Sequence, residues 1–156
     1  MTNTAQKYAV MAAARKEIIA KYNMAIISHV VDVLQNELKT LILKNKAQPT
    51  IEFDQYRVRT LIKSINDDDL KGYLEDIKDD IIENDNGDTE SKVDLINSYI
   101  ENIRESVNQY DVVDTFARYP LIEDDIIKNL DAVKDELEAN GFTLTPITAY
   151  KVKVTF

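Results

Sequence analysis

The sequence predicts a mainly α-helical fold: a helical bundle with a long N-terminal helix and a short C-terminal β-hairpin. Three observations predict it. The 156 residues include only three Gly and three Pro, and neither occurs before Pro49, whereas β-folds spend both residues on turns. Apolar residues from Val93 to Tyr110 recur at alternating steps of three and four, the spacing of one helical face. After Gly141 the period changes to two. The length is that of one domain with a sizeable core. Within it the expected parts are a long helix over 1–48, an acidic helical bundle over 54–140 and a hairpin over 142–156.

The first element is expected to run from about Ala5 to Lys46, with strong helix formers at most positions. Its first half carries a spaced stripe of Tyr8, Ala12, Ile19, Tyr22 and Ile26, with Arg15 interposed. From Ile27 the stripe broadens through Val30, Val31, Leu34, Leu38, Leu41 and Ile42. Unbroken, such a helix would be roughly 60 Å long, more than the diameter of a globule of this size. It therefore projects and pairs with another copy, or it breaks near Asn23–Ser28, where Asn and Ser compete for backbone hydrogen bonds. A continuous or gently kinked helix is expected, with Pro49 as its stop.

Thr50–Phe53 reads as extended. Asp54 follows as an N-cap, with Phe53 and Val58 at the positions of a hydrophobic staple. The short helix after it turns Val58, Leu61, Ile62 and Ile65 inward and Arg57, Arg59 and Lys63 outward. Asn66 caps a third helix whose first turn is Asp67–Asp69, three carboxylates that complement the helix dipole. Its core stripe is Leu70, Tyr73, Leu74, Ile77 and Ile81. A loop at Asn84–Asp88, marked by Gly87, leads to the fourth helix. That helix carries the most regular pattern in the chain: Val93, Ile96, Ile100, Ile103, Val107 and Tyr110, a narrow seam suited to a bundle or a coiled-coil partner. Tyr110–Pro120 is a connector with Phe116 and Tyr119 as anchors. A last helix carries Ile122, Ile126, Leu130, Val133 and Leu137 and ends at Asn140–Gly141, where a left-handed glycine brings Leu137 onto Phe142. Tyr150, Val152, Val154 and Phe156 then alternate with Lys151, Lys153 and Thr155, with Pro146 at the turn before them. The Pro and the outward lysines suit an exposed sheet edge.

Charge divides the chain. Residues 1–63 hold ten Lys and Arg against five Asp and Glu, whereas residues 64–141 hold seven against twenty-three. Opposite-signed halves fold against each other or assemble with other copies. The basic residues Lys39, Lys44, Lys46, Arg57, Arg59 and Lys63, with Tyr56 among them, could contact phosphates. They serve equally as a solvated face or as a dock for the chain's own acidic half. The acidic block 67–138 could imitate nucleic acid in another protein's basic groove.

No catalytic or cofactor residue is assigned. The chain has no Cys and one histidine, His29, which excludes a Cys nucleophile and a single-chain His triad on a metal. No phosphate-cradling glycine motif or nucleophile elbow is present. Around Gly87 the register of a calcium loop would put Ile82 and Val93 at its two key ligand positions, so no metal site is expected. The N-terminus is polar, with no signal peptide, and no apolar run is long enough for a membrane span. Nucleic acid and membrane are not expected partners.

The ending Leu137–Phe156, helix then Gly141–Phe142 then hairpin, resembles the endings of many small tailed-bacteriophage proteins. So does the Cys-free composition rich in Ile, Asn, Asp, Lys and Tyr. The resemblance implies a phage structural or host-takeover protein, in the virion or the bacterial cytoplasm. The expected function is a non-enzymatic structural or assembly protein acting through homo-oligomeric or other protein contacts. The alternative is an acidic inhibitor of a host nucleic-acid-binding or defence protein. Contacts are expected through Val93, Ile96, Ile100, Ile103 and Val107 of the seam, and through Tyr150, Val152, Val154 and Phe156 of the tail.

Overall fold

The computed structural model describes residues 3–84, 89–106 and 126–156. Its elements are α1 (Thr4–Leu43), β1 (Ile51–Asp54), α2 (Gln55–Lys63), α3 (Asp67–Asn84), α4 (Thr89–Ser106), α5 (Ile126–Ala139), β2 (Thr143–Pro146) and β3 (Lys151–Thr155). The fold is mainly helical, with a long N-terminal helix and a small antiparallel sheet. The expected connector at Tyr110–Pro120, the centre of the Gly87 loop and Ile122 lie outside the described residues.

α1 is one helix of 40 residues. It opens on a reciprocal cap that the sequence reading passed over. The Gln6 amide donates to Asn3 Oδ1 at 2.8 Å, and the Asn3 amide donates to Gln6 Oε1 at 3.1 Å, a capping box with Asn in the Ser/Thr position. It ends at Leu43, ahead of the stop expected at Pro49. The cause is Asn45, which adopts a left-handed φ of 60°. Lys46 N–H donates to the Leu41 carbonyl at 3.2 Å and Asn45 N–H to the Ile42 carbonyl at 3.0 Å. This is a Schellman closure with Asn in the usual glycine position, tolerated because a short polar side chain lowers the left-handed penalty.

Contacts divide the chain into two compact units. The first comprises α1 as far as Ala25 together with α3 and α4. Its core is Ala14, Ile18 and Tyr22 from α1, Leu70, Leu74, Ile77 and Ile81 from α3, and Ile96, Ile100 and Ile103 from α4. α3 packs directly on α4. The α3 start is capped as expected, with Asp69 N–H donating to Asn66 Oδ1 at 2.7 Å. The α1 stripe is rotated from the expected one. Ala14 and Ile18 are buried while Tyr8 and Ala12 are exposed, because the dry face follows steps of four back from Tyr22.

The second unit comprises Ile26–Ile65, α5 and the strands after it. Its core takes Ile26, Ile27, Val30, Val31, Leu34 and Leu38 from α1, Val58, Leu61 and Ile62 from α2, and Leu130, Val133 and Leu137 from α5. α2 packs on α5. Its N-cap is the one read from sequence: the Arg57 amide donates to Asp54 Oδ1 at 2.9 Å, and the staple residues Phe53 and Val58 are both buried. α5 closes as expected. Gly141 takes a φ of +92°, and Phe142 N–H donates to the Leu137 carbonyl at 3.1 Å.

The sheet corrects the hairpin reading in one respect. Its order is β1-β3-β2, so the lysine-bearing strand is central and not an edge. Val152 and Val154 of β3 stand opposite Phe53 and Ile51 of β1, and opposite Pro146 and Leu144 of β2. The extended segment read at Thr50–Phe53 supplies the third strand, through a pairing that local sequence does not encode. Pro146 occupies an edge strand, where its missing N–H costs no ladder bond. On the polar face Lys151 meets Glu52 at 3.2 Å.

Candidate interaction surface

The seam expected to meet partners is occupied within its own unit. Ile96, Ile100 and Ile103 are buried and Val93 is half-buried, with α4 laid on α3; Val107 lies outside the described residues. A chain of charges accompanies this packing. Lys92 Nζ lies 3.0 Å from Glu17, Lys21 lies 3.5 Å from Glu17, and Lys21 lies 3.4 Å from Asp80. The Lys92 ammonium, by hydrogen bond and by charge, and the Lys21 ammonium hold the Glu17 carboxyl below its ordinary range, against a smaller opposing effect of burial. Glu17, Lys21 and Asp80 keep 43%, 38% and 56% of their side chains in water, whereas Lys92 keeps 14%; water screens each pair in part, and each contributes about 0.2–1 kcal/mol.

The tail residues separate into two pairs. Val152 and Val154 are buried in the sheet core, whereas Tyr150 is exposed and Phe156 is 71% exposed. The alternation that groups all four on one face holds only where β3 has a strand on each side. Tyr150 and Phe156 flank that paired stretch and remain available to a partner.

A surface not anticipated from sequence lies in the second unit, beside edge strand β1. Val33, Asn36, Glu37, Thr40 and Leu41 of α1 and Ile51 of β1 line a shallow, open groove of about 490 Å³. Its walls are predominantly apolar, and Arg57 of α2 reaches Glu37 on its rim in an ion pair. Sequence periodicity identifies Leu41 as apolar-face and Val33 as off-stripe. It carries no signal that β1 lies beside them, because that placement depends on the distant β3.

Charge is displayed openly. Every Asp and Glu of α3 except Asp67 is exposed, as are Glu90, Asp94 and Glu101 of α4. In the second unit Lys39, Lys44, Lys46, Arg59 and Lys63 are exposed, and so is Tyr56. His29 is half-buried on α1.

Apolar groups are also left in water on α1 itself. No residue from Asn3 to Ala13 is buried; Tyr8 is 65% and Met11 46% exposed, and Val10 is exposed beside them. At its other end Ile42 and Leu43 are exposed.

Among the described residues no group of three or more His, Asp and Glu side chains is gathered for a metal ion, and no helix is long and apolar enough to cross a membrane. No family model, curated protein or solved structure matches this chain.

Proposed function

We propose that this chain is a non-enzymatic structural or assembly protein, acting through contacts with further copies of itself or with other protein components. The observation that carries the reading is the state of α1. One helix leaves large apolar side chains in water at both ends, Tyr8, Val10 and Met11 at one and Ile42 and Leu43 at the other. Contiguous exposed apolar groups rimmed by polar ones mark protein contact sites, and a partner removes them from water at about 25 cal/mol per Å². The groove beside β1 supports the same reading, since an edge strand next to an apolar trough accepts an added strand. The likeness of the ending Leu137–Phe156 to small phage proteins supports a bacteriophage virion as that assembly.

Sedimentation velocity or mass photometry at micromolar concentration, alone and with candidate virion components, tests this. Species larger than one chain are expected. A strict monomer that recruits no component under any condition sinks the reading.

The exposed carboxylates of α3 and α4 support a second reading, an acidic inhibitor that fills the basic groove of a host nucleic-acid-binding or defence protein. Such binding weakens steeply as salt rises. Pull-downs at low salt that recover no nucleic-acid-binding protein count against it.

A further inference from the structure

We propose that the first three turns of α1 dock on the outer face of α3 in a neighbouring copy of this chain. The inference rests on the assembly reading and names the surface it uses. Ala14, Ile18 and Tyr22 form the dry face of α1 in the first unit. Continued toward the N-terminus at helical spacing, that face carries Met11, Val10 and Lys7, and there it is exposed. The buried seam thus runs on into water, with Tyr8 adjoining it three residues before Met11.

Charge identifies what covers it. The sixteen residues before Glu17 contain Lys7, Arg15 and Lys16 and no Asp or Glu. The first turn of α1 holds no acidic residue, so Lys7 lies near the positive end of the helix dipole without a local carboxylate on its turn. The outer face of α3 is the complement. Asp76, Asp79 and Glu83 recur there at helical spacing, and Ile82 stands among them 57% exposed. An apolar group rimmed by carboxylates faces apolar groups rimmed by cations. Both faces belong to the same chain and both are in water, so each copy offers one of each. The contact is therefore head-to-tail, and it repeats into a ring or a filament according to whether the rotation closes. A single contact of this size is transient, and salt weakens it.

The test compares wild type with K7E and with the double variant D76K/D79K, by sedimentation velocity over a concentration series at about 50 mM and about 500 mM salt. All three substituted positions are exposed, and circular dichroism melts check that both variants stay folded. Wild type is expected to self-associate at low salt and to lose that association at high salt. Each variant is expected to need about tenfold more protein to associate. An equimolar mixture of the two variants is expected to regain association, because the unaltered helix start of the D76K/D79K chain meets the unaltered α3 face of the K7E chain and the two reversed faces again carry opposite charge. Three results overturn the inference. If wild type assembles and neither variant changes it, the contact lies elsewhere and the assembly reading stands. If wild type stays monomeric and K7E abolishes binding to vesicles of anionic lipid, the helix start serves a membrane surface. If wild type stays monomeric and binds no vesicles, copies do not meet through this face, and the assembly reading then depends on other components.

Discussion

Two stretches of α1 share one helical geometry and differ in every other respect. From Ile26 to Leu38 six apolar side chains are buried, whereas from Asn3 to Ala13 none is. The difference is one of stripe width. In the second stretch adjacent pairs, Ile26–Ile27 and Val30–Val31, widen the apolar face enough to meet other elements on more than one side. In the first, alanines occupy the positions that would widen it, and alanine favours the helix while burying little. Helix propensity alone therefore carries α1 past the end of its packing, from the Asn3–Gln6 cap to Ala14. Length of helix and extent of core are separate properties, and only the first is written in propensity.

The largest expected effect tests the core at the end of the second stretch. Deleting Ala149–Phe156 removes the strand that holds β1 and β2 together and exposes partners of Val152 and Val154, each worth roughly 1.5–3 kcal/mol. The truncated chain is expected to lose a large share of a total of about 5–15 kcal/mol, seen as a collapse of the denaturant midpoint even at concentrations where no assembly forms. Unchanged melting would show that the sheet contributes nothing to the second unit.

The sharpest version of the comparison is a matched pair of substitutions within α1. Leu34→Ala, at a fully buried position, is expected to cost about 2–5 kcal/mol. Met11→Ala, on the open stretch, is expected to stay within about 0.5 kcal/mol of wild type. Equal losses in urea unfolding would mean that the helix start is packed after all. Asp54→Ala, which removes the cap where β1 becomes α2, is expected to cost about 0.5–2 kcal/mol, read as a lower thermal midpoint.

The smallest effect concerns Glu17, at the junction between the open stretch and the first core. Its carboxyl is held low by Lys92 and Lys21, so the folded value lies below the unfolded one. The stability it supplies is therefore present above the unfolded value and disappears as pH falls through the folded one. E17Q is expected to be slightly less stable than wild type at neutral pH. The gap should close in acid, in paired melts across the carboxylate range. A gap that widens in acid would reverse the assignment.

Much of the fold was legible residue by residue. Asp54, Asn66 and Gly141 announce local hydrogen bonds to groups within a few positions, and the structure contains each of them. The stripes of α2, α3 and α5 were legible because each is bounded by such signals. The phase of α1 before Tyr22 was not, since alanines blur which face is apolar. Asn45 was missed because Pro49 is the louder stop, although a left-handed Asn ends the helix first. The pairing of β1 with β3, and the groove beside β1, were beyond reach. Neither Thr50–Phe53 nor Lys151–Thr155 records in its own residues which distant strand it meets.

That pairing imposes a delay on the chain as it is made. Val154 follows Ile51 by 103 residues, and a ribosome adding about 5–20 residues per second needs roughly 5–20 s to cover that distance. Throughout that interval Ile51 and Phe53 have no partner strand, while α2 and the second half of α1 already display their apolar faces. α3 and α4, which meet across a short loop, face no such wait. The nascent second unit thus keeps apolar surface in water for that interval, and slowing translation between β1 and β3 would lengthen its exposure while leaving the α3–α4 pair untouched.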